Sequence, residues 1–168
     1  MAIEGTTVTM TGCALKGNTA SNGGGIYTRY LDDTVTPESA VTIDGGTIGG
    51  TQSNEANKAT GSSDGFGGGI FVDKNYIVTL KGSVQVIGNT AVYNGAGIYT
   101  KGNLTMENCT ITDNKTTGAD NNTGGGGVYV ESGIVEIKDA TKIYHNYTDA
   151  SGGGIYVKGG SLTLTNTT

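Results

Sequence analysis

Arg29 is followed closely by Asp32, Asp33 and Glu38 in the run RYLDDTVTPESA. Carboxylates crowded into one loop can hold calcium, and an arginine beside them is the usual base of a polysaccharide lyase. The same spacing also describes a solvated surface loop, and Arg29 is the single arginine of the chain. Hydrolysis of a sugar would instead need clustered carboxylates flanking the scissile bond. One repeated outward position carries Asp44, Lys81, Glu107 and Lys138. That alternation of sign reads as self-complementary packing. His145 is the one histidine, and no catalytic triad is expected around it. Cys13 and Cys109 hold equivalent places and read as small buried hydrophobes with free thiols. No catalytic residue, metal site or cofactor is expected, and the chain reads as a non-enzyme.

The elements that would position such groups belong to a repeat. Gly23, Gly24 and Gly25 stand directly before Ile26 and Tyr27. The pattern returns as FGGGIF at 66–71, NGAGIY at 94–99, GGGGVY at 124–129 and SGGGIY at 151–156. Glycine is costly to order, so its recurrence marks a structural need and not a linker. From Ile26 the motif advances by 44, 28, 30 and 27 residues, to Ile70, Ile98, Val128 and Ile155. Two alternating runs fall into register with it. The first starts at Val8, Val41, Val78, Leu104, Val135 and Leu162; the second at Cys13, Gly46, Val84, Cys109 and Thr141. Beyond most of the second runs comes an asparagine: Asn18, Asn89, Asn114 and Asn146, with Asn57 in the same slot after a longer loop.

Periods of this size belong to solenoids and repeat arrays, and most are too short for a propeller blade of about 40 residues. Three short strands per period fit one coil of an all-β, right-handed parallel β-helix, right-handed because parallel crossovers almost always are. About five to six such coils make a single domain over 1–168. Strands in adjacent coils lie about 4.8 Å apart, so like residues stack into columns. Alternation then sends Val41 and Ile43 inward and Thr42 outward. Asn18, Asn57, Asn89, Asn114 and Asn146 form a structural ladder at one turn, and the glycines form another. Cys13 and Cys109, three coils apart, would be about 14 Å from each other and beyond disulfide reach.

Composition narrows the function. The 168 residues include 31 glycines and one proline, are 35% hydrophobic and 15% charged, and carry a net charge of −5. Glycine without a three-residue period excludes collagen, and so little charge argues against classical disorder. The acidic balance argues against nucleic acid, and no run is apolar enough for membrane insertion by this segment. The opening MAIEGTTVTM reads as an added start joined to the middle of a repeat, and SLTLTNTT stops inside another. A fragment of a longer surface protein is therefore expected.

Two features could form a recognition surface. Tyr27, Phe71, Tyr99, Tyr129 and Tyr156 follow the glycine motifs and are expected to point outward as stacked rings. Exposed rings suit sugar faces or a partner protein, and the competing reading is a self-stabilising ladder partly covered by loops. Enlarged copies of one turn, at 49–66 and 113–125, are the other candidate. The outward column Thr9, Thr42, Thr79, Thr105 and Thr163 resembles one rank of an ice-binding array, but Glu136 interrupts it.

The repeat resembles that of the chlamydial polymorphic outer membrane proteins, written GGA[ILV] and FxxN. Gly-Gly-Gly-Ile at 23–26, 67–70 and 152–155, Gly-Gly-Gly-Val at 125–128 and Gly-Ala-Gly-Ile at 95–98 correspond to the first motif, with glycine where that motif has alanine. Leu15-x-x-Asn18, Val86-x-x-Asn89, Ile111-x-x-Asn114 and Ile143-x-x-Asn146 correspond to the second, with an aliphatic residue for phenylalanine. The resemblance covers nearly the whole chain. It implies an extracellular or cell-surface, adhesin-like module, a stalk or binding scaffold whose partner is a surface glycan or protein on a host or neighbouring cell. A carbohydrate-binding or carbohydrate-active β-helix domain is the alternative, with ice binding behind it.

Overall fold

Short runs of Val, Ile, Leu and Thr with period-two alternation favour strands, and a coil-length repeat lets each strand pair with its own copy. The computed structural model describes residues 1–30, 39–118 and 123–167. Its strands pair in parallel throughout and wind into a parallel β-helix with three walls. The calcium-loop candidates Asp32, Asp33 and Glu38 lie outside the described residues.

The first wall has six strands: Ala2–Glu4, Ile26–Arg29, Ile70–Val72, Ile98–Thr100, Val128–Val130 and Ile155–Val157. Ala2–Glu4 pairs with Tyr27–Arg29, so the opening residues supply a rung to this wall. The broad wall has nine strands and carries both alternating runs. Its register places Val8, Val41, Val78, Leu104, Val135 and Leu162 in one column and Met10, Ile43, Leu80, Met106, Ile137 and Leu164 in the next. Interior members are buried, whereas Leu164, in the last described strand, is 54% exposed.

One detail differs from the expected three separate strands. In two coils the alternating runs fuse into single strands, Val8–Leu15 and Ser39–Gly49. In the others a short turn separates them, with residues such as Ser83, Asn108 and Asp139 at positive φ; in the fused strands Gly12, Gly45 and Gly46 take that conformation. The third wall comes instead from residues read as turn: Thr19–Ala20, Lys58–Ala59, Thr90–Ala91 and Lys115–Thr116. The asparagines cause this, because each hands its carbonyl to the next coil. The N–H groups of Lys58, Thr90 and Lys115 donate to the carbonyls of Asn18, Asn57 and Asn89 at 2.8–2.9 Å. Two residues of extended backbone are then enough for a ladder.

Inside the walls lies one aliphatic core, in which Ile26, Ile70, Ile98 and Val128 meet the two columns of the broad wall. Tyr76 is its outlier. Its ring is 1% exposed, and its hydroxyl donates to the Ile3 carbonyl at 3.1 Å and accepts from the Gly5 N–H at 2.7 Å. That ties the second repeat down to the opening strand.

Candidate functional site

Two columns flank the glycine motif, and they are built on opposite principles. At the asparagine turn, Asn18 Nδ2 donates to Asn57 Oδ1 at 2.9 Å, Asn57 to Asn89 at 3.0 Å, Asn89 to Asn114 at 2.9 Å and Asn114 to Asn146 at 2.9 Å. Each accepting Oδ1 also takes the backbone N–H of the preceding asparagine, at 3.0–3.3 Å. The second amide hydrogen goes back to a carbonyl, as from Asn89 to Ile48 at 2.9 Å and from Asn114 to Val86 at 2.9 Å. Asn57, Asn89 and Asn114 are fully buried with both donors and the acceptor used. The column is an internal frame.

The glycines lie against this frame. A Cβ at Gly97 would sit 2.5 Å from the Gly127 carbonyl oxygen and 3.0 Å from Asn114 Nδ2. Gly25 and Gly69 are closed in the same way by the next coil. At Gly154 the nearest atom would be Ile143 Cγ2, at 3.6 Å. Glycine is therefore required at Gly25, Gly69 and Gly97, where the backbone of the stacked coil leaves no room for a Cβ.

The aromatic column lies outside the core. Its register is Tyr27, Phe71, Tyr99, Tyr129, Tyr156. Ring centroids of Phe71, Tyr99, Tyr129 and Tyr156 follow one another at 5.0–5.3 Å, with planes 10–23° apart; Tyr27 tilts by 57° against Phe71. The rings were expected to point outward, either as an exposed face or as a self-stabilising ladder partly covered by loops. Phe71, Tyr99 and Tyr129 are buried, at 3–5% exposure, and Tyr27 and Tyr156 are half-buried, which fits the ladder. The faces of the central rings are occupied by one another. Phe66, from the enlarged 49–66 turn, adds a ring that stacks on Tyr99 at 4.8 Å.

Beside this stack runs a groove of about 490 Å³, with Tyr99, Tyr129, Tyr156 and Phe66 along one side and Asn94, Glu131 and Lys158 among its other lining residues. Glu131 and Lys158 each lie two residues beyond a column tyrosine, hence on the same outward side of their strands. They pair across one coil at 2.9 Å. Burial, with the Glu131 carboxylate next in effect, pushes the Tyr129 hydroxyl up to about 12 and raises Tyr99 well above the ordinary tyrosine value. Asn94, which sequence reasoning passed over, is 9% exposed, and its Oδ1 has no hydrogen-bond partner among the described residues. It precedes Gly95 as Asn22, Phe66, Gly124 and Ser151 precede their own glycines. That column varies while its neighbours are uniform, which was the available signal.

The remaining candidates scatter. Lys81 pairs with Asp44 at 3.6 Å and Lys138 with Glu107 at 2.9 Å, so those carboxylates answer lysines in the next coil. His145 is exposed, with Nδ1 at 3.9 Å from an Asp113 oxygen. Both thiols are free, but only Cys109 is buried, and burial pushes its thiol up to about 11. Cys13, expected to be buried, is exposed. Its partner in the next coil is Gly46, which offers no side chain to cover it. Thr9, Thr42, Thr79 and Thr105 form the expected outward rank, interrupted by Glu136 before Thr163.

Residues 12–29 match the family model of the Chlamydia polymorphic membrane protein repeat. The matched stretch spans the Cys13–Leu15 run, Asn18 and the first Gly-Gly-Gly-Ile, which together make one full corner of the helix. The chain thus carries a polymorphic membrane protein-like repeat. Neither the curated proteins nor the solved structures give a match.

Proposed function

We propose that this chain is an adhesin-like surface module, a non-catalytic β-helix that holds a recognition surface away from a cell. The observation that carries this reading is the match of one complete corner to a membrane-protein repeat, in a chain whose other corners repeat the same geometry. An internally saturated frame suits a stalk, since its strength does not depend on a ligand. The engaged carboxylates support the non-catalytic reading, because Asp44 and Glu107 face lysines and not each other. The same repeat type supports a surface-associated setting, and the reading adds secretion and a glycan or protein of a host or neighbouring cell as partner.

Beads coated with the chain should adhere to cultured cells, and soluble chain should compete. Coated beads that adhere no better than beads carrying an unrelated β-helix would refute the adhesive role.

A further inference from the structure

We infer that the groove beside Tyr129 and Tyr156 is a binding site for a neutral saccharide; this rests on the adhesive reading and gives it a ligand class. Four observations converge there. The groove volume of about 490 Å³ lies within the range of small-molecule sites, roughly 300–1,000 Å³. Asn94 lines it, is nine-tenths buried, and leaves its Oδ1 without a partner among the described residues. The equivalent Asn22 uses its Oδ1 to accept the Phe66 N–H at 2.9 Å, so the vacancy at Asn94 is particular to this coil. A buried acceptor without a donor is costly, and a ligand hydroxyl would supply one.

The charge pattern selects among ligands. Glu131 and Lys158 neutralise each other at 2.9 Å, so the groove presents an acceptor and a donor with no net charge to offer an ion. Vicinal hydroxyls both donate and accept, and they match such a pair. Phosphate or sulfate would meet Glu131 with a single lysine in compensation. A peptide strand would need an unpaired sheet edge, yet Val128–Val130 is paired on both sides, by Ile98–Thr100 and Ile155–Val157. The apolar wall is Tyr156, which is half-buried, stacks on Tyr129 and lines the groove. A pyranose ring packed against the part of Tyr156 that faces the groove, with hydroxyls toward Glu131, Lys158 and Asn94, completes the site. The central rings do not stack on ligand; they fix Tyr156 and Glu131 in place.

Saturation-transfer NMR on the whole chain, with lactose, maltotriose, cellotriose and mannotriose against sialyllactose and a heparin oligosaccharide, tests this. At least one neutral sugar should give transfer, stronger than either charged probe. Glu131→Gln, Tyr156→Ser and the exposed Lys158→Met should each weaken it tenfold or more, and Lys16→Ala should leave it unchanged. Thermal melts verify folding, and Lys158→Met, being at the surface, keeps the test valid if a buried change unfolds the chain. No transfer from any neutral sugar, preference for the charged probes, or indifference to all three substitutions would overturn the inference. Beads that still adhere in that case would leave the adhesive role standing without this groove; loss of both would remove the two together.

Discussion

The asparagine corner and the aromatic wall are both uniform columns along the same axis, yet they spend their chemistry differently. In Asn57, Asn89 and Asn114 every donor and acceptor is satisfied inside the helix, and no atom is left to offer a partner. In the aromatic wall the ring faces satisfy one another, but the polar groups around them remain at a groove. Uniformity along a column therefore reports register. Whether a column is frame or face depends on what is left over once its members have paired.

The sharpest way to break this contrast is to cut the frame. Asn89→Ala removes an acceptor of two hydrogen bonds and a donor of two others in a fully buried place. It should cost about 3 kcal/mol or more, since each stranded buried polar group costs about 1–3 kcal/mol. Denaturant unfolding measures it, and a loss under about 1 kcal/mol would make the corner ornamental. A smaller effect should come from the glycines packed against it. Gly97→Ala drives a Cβ to 2.5 Å from a backbone carbonyl and should cost about 2 kcal/mol, as overpacking does. Gly154→Ala has space at 3.6 Å and should stay within about 0.5 kcal/mol of the parent. Equal losses at the two positions would mean that coil stacking does not impose the glycine.

The aromatic wall is probed most gently by pH. Tyr129 and Tyr99 lose their protons less readily when folded than when unfolded. Stability from this source is complete below the ordinary tyrosine value of 10.0 and declines as pH rises from there through about 12. Alkaline melts should show that decline, and Tyr129→Phe should reduce it. A chain as stable at about pH 11.5 as at about pH 8 would contradict the burial of the wall.

Much of the frame could be read from the sequence, and the reason is physical. Like stacks on like at coil spacing, so the columns from Val8 to Leu162 and from Met10 to Leu164 keep one residue character and reveal their own register. Burial of the outward rings could be read only in part. Their stacking on one another repeats with the period, but the cover from Phe66, folded back from an enlarged turn, does not. Cys13 shows the same limit: its column places it beside Gly46, which has no side chain to cover it, in a strand that is paired on one side alone among the described residues. Tyr76 and Asn94 were missed because each departs from its column, which a search for regularity passes over. The groove is made of such departures.

The central claim is that a saturated asparagine ladder is the frame of this molecule. Side-chain amide protons normally exchange with solvent quickly, because nothing but water holds them. In D2O, the Nδ2 protons of Asn57, Asn89 and Asn114 should persist as long as the backbone amides of Ile98–Thr100, opening only with global unfolding. The side-chain amide of Asn108, bonded only to Ser83 at an exposed turn, should exchange at once. Ladder protons that vanish together with those of Asn108 would contradict the account.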